Sequence, residues 1–217
     1  MNGSLRTDSG LSLLEIVVAL GIFVTVCAAL SDLLITSSDT YQTGMTIANL
    51  EGRGRRALDQ IAGDLVASGA TTFSPTPDLP FGSTTLTFQK SRGFDTGSDS
   101  ILWGPTLSFD LIDEPSDPND GLDNDDDGLV DERRLVRRLN SGLSTEVTVV
   151  LLTDVAPYLE GETPNGGDDN QNGLIDEEGL CFSLVGDQLT IQITLGGRDA
   201  HGRVLLRTVS TTVVVRN

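Results

Sequence analysis

Two short stretches of this chain concentrate oxygen-bearing side chains at regular spacing. One reads NDGLDNDDDGLVDE (residues 119–132) and the other PNGGDDNQNGLIDE (residues 164–177). They align at a constant offset of 45 residues, so that Asp123, Asp125 and Asp127 match Asp168, Asn170 and Asn172, and Asp131 and Glu132 match Asp176 and Glu177. Carboxylates and amides at alternate residues can curl their oxygens around one hard cation. Calcium takes six to eight such oxygens, whereas magnesium prefers fewer protein ligands and strict octahedral geometry. The glycine after the third acid (Gly128, Gly173) allows a sharp turn. The next residue, Leu129 or Leu174, can offer its carbonyl while its side chain packs inward. The competing reading is a pair of solvated acidic turns. The recurrence of the glycine and the trailing Asp-Glu in both copies favours two calcium sites, built from Asp123, Asp125, Asp127, Leu129, Asp131 and Glu132 and from Asp168, Asn170, Asn172, Leu174, Asp176 and Glu177. The first loop is the more acidic and is expected to bind the more tightly.

The opening half of each loop resembles the EF-hand calcium loop. The closing half departs from it: the twelfth position is Arg134 in one copy and Gly179 in the other, where an EF-hand carries a bidentate Glu. The loops are also similar to the Asp-rich calcium loops of dockerin-type and thrombospondin-type repeats.

A second oddly placed acid is Glu15, at the start of the apolar run GLSLLEIVVALGIFVTVCAAL (residues 10–30). From Ile16 to Leu30 no residue is charged. About 20 apolar residues in a helix span the roughly 30 Å hydrocarbon core of a bilayer. A secretory signal peptide has a shorter apolar region followed by a small-residue cleavage site, and no such site follows here. A plain membrane anchor leaves Glu15 unexplained, because an unpaired carboxylate within the bilayer is costly.

The run G-L-S-L-L-E-I-V-V-A-L resembles the processing signal of type IV pilins and type II secretion pseudopilins. That resemblance implies cleavage by a prepilin peptidase after Gly10 and methylation of the new terminus, Leu11. It places Glu15 at the fifth mature position, where its carboxylate can pair with the terminal amine of a neighbouring subunit; a paired buried charge is tolerated where a lone one is not. The segment RGRRALDQIAGDLVASGA is likewise similar to the end of the long helix in minor pilins and pseudopilins of the PilW/J type. The family's fold is a long N-terminal helix, membrane-spanning in its first half, packed on an antiparallel sheet.

These features need elements to hold them. No proline interrupts residues 31–70, and Leu58, Ile61 and Leu65 recur at helical spacing, so a helix should continue beyond the membrane and end near Gly69. The expected division is a leader (1–10), a membrane-spanning helical half (11–34), an amphipathic half (35–69) and a β-domain (70–217) with acidic loops at 117–132 and 164–178. Short β-type runs fill that last region: STTLTFQKS, DSILWGPTLSFDLI (two strands, or one broken at Gly104-Pro105), RRLVRRLN, TEVTVVLLTDV, CFSLVGDQLTIQITLGG and GRVLLRTVSTTVVVRN. The last two read as a hairpin around GGRDAHGR. Six or seven strands after one long helix predict an α+β fold with an antiparallel sheet.

Composition narrows the function. The chain has 217 residues, a net charge of -18 and a pI near 4.1. A body this acidic does not suit nucleic acid, which wants a basic face. The single histidine, His201, excludes a multi-histidine metal site and reads as an exposed loop residue. Cys27 lies in the apolar run and Cys181 far from it, so no bridge between them is expected. No P-loop, GxSxG or catalytic cysteine context occurs, and an enzyme is not expected. The expected function is a minor pilin or pseudopilin that acts by assembly. It would sit in the inner membrane by a single pass with its C-terminal domain extracytoplasmic, and then in a pilus or pseudopilus. Its partners would be other pilins or pseudopilins and the prepilin peptidase. The alternative is a calcium-dependent adhesin or surface-binding module on the same stalk. Mass spectrometry of the mature protein should find methylated Leu11 as the first residue; an intact Met1 or a cut elsewhere would refute the processing.

Overall fold

The computed structural model describes residues 12–215, which fall into two units, one through Thr43 and one from Gly44 onward. Helix α1 spans Leu13–Leu65. In the first unit Ser12 and Glu15 form a reciprocal cap. The Ser12 N–H donates to Glu15 Oε2 at 2.9 Å, and the Glu15 N–H donates to Ser12 Oγ at 3.3 Å. Residues 12–38 are exposed throughout. By length and composition this part of α1 can cross a membrane.

In the second unit the same helix changes character. It buries Leu50, Gly54, Ala57, Leu58, Ile61 and Leu65, in the i, i+3, i+4 pattern of one face of a 3.6-residue period. Gly54 allows the closest approach: a Cβ there would lie 2.5 Å from a Val209 methyl and 2.8 Å from Leu195 Cδ1. Three ion pairs fix the helix laterally. Asp64 receives Arg137 Nε at 2.6 Å and also pairs with Lys90, and Arg53 reaches Asp154 at 2.7 Å. The helix ends at Leu65, short of Gly69. Ser68 is the reason, since its N–H and its hydroxyl both donate to the Leu65 carbonyl and satisfy the helix end.

Seven strands follow: β1 (Leu86–Asp95), β2 (Ser100–Asp113), β3 (Arg133–Leu139), β4 (Val147–Val155), β5 (Leu180–Val185), β6 (Gln188–Arg198) and β7 (Val204–Val214). Every pairing between them is antiparallel, in the order β1-β2-β3-β4-β6-β5, with β7 on the other edge of β6. The α+β architecture read from the sequence is therefore present. The run around Gly104-Pro105 is one strand, not two. Proline has no N–H for the ladder, and the register shifts beside it: Gln89 faces Thr106 while Ser91 faces Trp103. The run beginning at Cys181 is two strands, because Gly186 turns the chain with φ +66°.

One face of the sheet packs on α1. Inward residues alternate along the strands: Leu86 and Phe88, Leu107 and Phe109, and Leu189, Ile191, Ile193 and Leu195, all with 3% exposure or less. Phe88, Phe109 and Phe182 stack in series at centroid distances of 5.5 and 6.4 Å. The β6–β7 hairpin turns at 199–203 around the Asp199 carboxylate, which accepts from the His201 and Arg203 N–H groups at 2.9 Å each; His201 itself is exposed. Cys27 and Cys181 are both free thiols.

Ile61 has no exposed surface. Ile61→Ala should lower the unfolding free energy of the full chain in detergent by about 2–5 kcal/mol. Arg55→Ala, whose side chain is mostly exposed, should change it by less than about 0.5 kcal/mol. Denaturant unfolding followed by Trp103 fluorescence reads both, and equal losses would contradict this packing.

Candidate metal centre

The two acidic segments occupy two adjacent strand connections. The first joins β2 to β3 and the second joins β4 to β5. Because β3 lies beside β4, with Arg133 opposite Val155, the loop bases meet at one end of the sheet. Arg134 pairs with Glu114 across the base of the first loop. Arg133 pairs with Glu178, joining the first base to the second. Arg133 and Glu178 are themselves equivalent under the 45-residue offset, so the repeat carries opposite charges at one position and the two copies use them on each other.

The loops match in backbone as well as sequence. Positive φ recurs at Gly121 and Gly166 (82° and 81°), Asp126 and Gln171 (60° and 61°), Gly128 and Gly173 (84° and 91°), and Asp131 and Asp176 (55° and 53°). Left-handed backbone is costly for non-glycine residues and is most accessible to Asn and Asp among them. Two copies that adopt it at the same four places form one built conformation. The inward leucines anchor it. Leu129 packs on Gly196, and Leu174 clusters with Leu159 and Cys181. Arg198 supports the first loop from the β6–β7 hairpin by donating to the Asp127 carbonyl at 2.8 Å.

In the first loop the carboxylates of Asp123, Asp125 and Asp127 converge to within 4.8 Å of one another, a group able to hold a metal ion. Asp125 accepts from the Asp127 N–H at 3.2 Å and Asp127 from the Leu129 N–H at 2.8 Å; the second loop repeats these two contacts and adds two more at Asp168. Asp168 accepts from the Asn172 and Gly173 N–H groups at 3.0 and 2.9 Å, Asn170 accepts from the Asn172 N–H at 3.0 Å, and Asn172 accepts from the Leu174 N–H at 2.8 Å. The closing Asp-Glu pair divides its work. Asp131 Oδ1 accepts from the Asp120 and Gly121 N–H groups at 2.8 Å each, and Asp176 Oδ1 accepts from those of Asn165 and Gly166 at 2.9 Å each. These aspartates hold the start of each loop to its end. The glutamates are buried instead, Glu132 with 3% and Glu177 with 2% exposure, and each keeps one oxygen without a hydrogen-bond donor.

Two further acids escaped the sequence reading. Asp117 and Glu162 lie upstream of the aligned pattern, yet they are fully or almost fully buried and face Glu132 and Glu177. The 45-residue offset relates them too, and extending the repeat six residues back from Asp123 and Asp168 would have found them. Glu15 caps its own helix, as described above. Gly10 and Leu11, the positions of the expected cleavage, lie outside the described residues.

Burial, and then the carboxylates of Asp117 and Asp127 nearby, push Glu132 up to about 8, and burial also raises Glu177. The Asn124 N–H holds Asp117 below its ordinary value.

The chain is thus an α+β protein with an N-terminal helix of membrane-crossing length and an Asp-rich group able to bind a metal ion. No family model, curated protein or solved structure matches it.

A raised carboxyl pKa has a definite sign in stability. Below the ordinary value near 4.5 both folded and unfolded states hold the proton. Between there and about 8 only the folded state does, so stability falls as pH rises. With divalent ions chelated, the melting temperature should decline from pH 5 to pH 8, and Glu132→Gln should flatten that decline. A flat wild-type profile would contradict the burial of an uncompensated acid.

Proposed function

We propose that this chain is a minor pilin or pseudopilin, a structural subunit of a type IV pilus or a type II secretion pseudopilus. It is processed after Gly10 by a prepilin peptidase and stabilised by calcium in its two acidic loops. It acts by assembly and not by catalysis. The observation that carries the reading is the division within α1: residues 12–38 are exposed and almost wholly apolar from Ile16 to Leu30, while Leu50 to Leu65 seal a sheet. An apolar stretch of that length needs lipid or other apolar helices around it. A helix end that is already committed to its own domain leaves the N-terminal half for those surroundings. The signal-like sequence around Gly10 adds a way to exchange the one environment for the other.

In this reading the inner membrane holds the subunit by one pass, with the acidic domain outside the cytoplasm. Extraction into a filament replaces lipid by the helices of other pilins or pseudopilins. The Glu15 carboxylate then exchanges its local Ser12 partner for the amine of a neighbour's Leu11. The large chain and its elaborated loops fit a minor subunit.

Calcium is the ion that fits the oxygen-only donor set. In the first loop it would be held by Asp123, Asp125, Asp127, the Leu129 carbonyl and Glu132, with Asp131 bracing the turn. In the second, Asp168, Asn170, Asn172, the Leu174 carbonyl and Glu177 stand in the same places, braced by Asp176, and the Asp168 side chain would turn from its backbone partners to the ion. A bound cation removes the repulsion among these groups, and by favouring the folded state it stiffens the end of the sheet.

Cells producing the chain should carry it, in processed form, in sheared surface filaments or cross-linked to a second pilin-type subunit. Glu15→Ala should reduce that incorporation severalfold, and chelation should block it. Absence from both fractions would refute the assembly role. Intact filaments that lose only surface attachment on chelation would mark the loops as an adhesin instead.

A further inference from the structure

Behind each loop stands an acid supplied by the chain just before it. Asp117 precedes Asp123 by six residues and Glu162 precedes Asp168 by six. Asp117 has no exposed surface and Glu162 retains 7%. One oxygen of each is used on the loop backbone: Asp117 Oδ1 accepts from the Asn124 N–H at 2.7 Å and Glu162 Oε1 from the Asn170 N–H at 2.8 Å. The other oxygen, Asp117 Oδ2 or Glu162 Oε2, is buried and meets no donor. The buried oxygens Glu132 Oε2, Glu177 Oε2 and Asp123 Oδ1 also meet none. Glu132 lies against both Asp117 and Asp127, and Glu177 lies against Glu162 and Asn172.

Once ionised, these groups offer only acceptors, so several facing one another create a strong demand for a proton or a cation. The neighbouring cationic side chains are directed elsewhere. Arg133 pairs with Glu178, Arg134 with Glu114, and Arg198 with the Asp127 carbonyl. The demand arises twice, at equivalent positions of the repeat, which a chance packing fault would not produce.

From this arrangement we propose that Asp117 and Glu162 are ligands of the two ions, each closing its site together with the glutamate behind the loop, Glu132 or Glu177. The proposal rests on the calcium reading above. It changes what the ion does. A loop that bound through Asp123 to Leu129 alone would order only itself. Ligands before and after the loop tie the chain leaving β2 to the chain entering β3, and likewise β4 to β5. It also sets ion preference, because added carboxylates raise the oxygen count beyond what the smaller magnesium ion accommodates. The first site gathers five carboxylates, from Asp117, Asp123, Asp125, Asp127 and Glu132. The second gathers three, from Glu162, Asp168 and Glu177, with two amides. The first should therefore be the tighter.

Calorimetric titration of the full chain in detergent with calcium, and separately with magnesium, tests this in the wild type, Asp117→Asn, Glu162→Gln and a control, Asp126→Asn, whose side chain is exposed. The wild type should bind two calcium ions in preference to magnesium. Asp117→Asn should weaken the tighter site by about tenfold or more and spare the other, and Glu162→Gln should do the converse, as ligand charge sets affinity. The control should bind as the wild type does. In chelator both variants should melt at or above the wild-type temperature, since each removes a repelling charge. Wild-type affinity in both variants would overturn the assignment while leaving the calcium reading intact. A wild type that binds no calcium would overturn both. Weakened binding with a lowered melting temperature in chelator would mark the acids as structural and overturn the assignment.

Discussion

Carboxylate oxygens that are buried without donors govern the end of the sheet where the two acidic loops lie. Asp117, Glu132, Glu162 and Glu177 each have an oxygen in this condition, and Asp123 has a fifth. Such groups are tolerated only where something else supplies charge. Asp117 and Glu162 use their second oxygen to receive a loop N–H, while Asp131 and Asp176 receive the N–H groups that open each loop. The same acids thus shape the loops and crowd them with negative charge. The recurring positive-φ positions and these hydrogen bonds give both loops the same backbone course.

The rest of the domain makes that arrangement possible. Glycine at 196 lets Leu129 settle on β6, and the leucine–cysteine cluster under Leu174 does the same service in the second copy. The Arg133–Glu178 pair joins the two loop bases. Two loops 45 residues apart in sequence thereby become neighbours at one end of the sheet, joined at their bases by an ion pair.

Helix α1 applies two solvation rules in one continuous element. Its later turns follow the ordinary amphipathic rule: Ile61 and Leu65 are inside and Arg55 is outside. Its first turns present apolar side chains all round, a pattern for lipid or for packing among helices. Glu15 stands at the boundary of that apolar stretch with a local partner in Ser12, which keeps the carboxylate satisfied in the single chain.

Local pattern was enough to read much of this. The helix, the alternating strands, the β6–β7 hairpin and the repeated oxygen-bearing loops all follow from short-range periodicity and turn chemistry, which neighbouring residues dictate by themselves. The helix ends four residues before Gly69 because a serine, not the glycine, satisfies the Leu65 carbonyl. Gly104-Pro105 alone does not say whether β2 is one strand or two, because a bulge is defined by the partner strand and not by the strand that carries it. The division of the Asp-Glu pair, with Asp131 turned to the backbone and Glu132 buried, depends on where β3 leaves the sheet. The repeat relates Asp117 to Glu162, but only the fold shows that both are buried against Glu132 and Glu177. The sequence alone determined that two loops rich in oxygen ligands exist and where they begin. Only the tertiary structure decided which acids lose their water, because burial is a property of everything packed around a side chain and not of its neighbours in the chain.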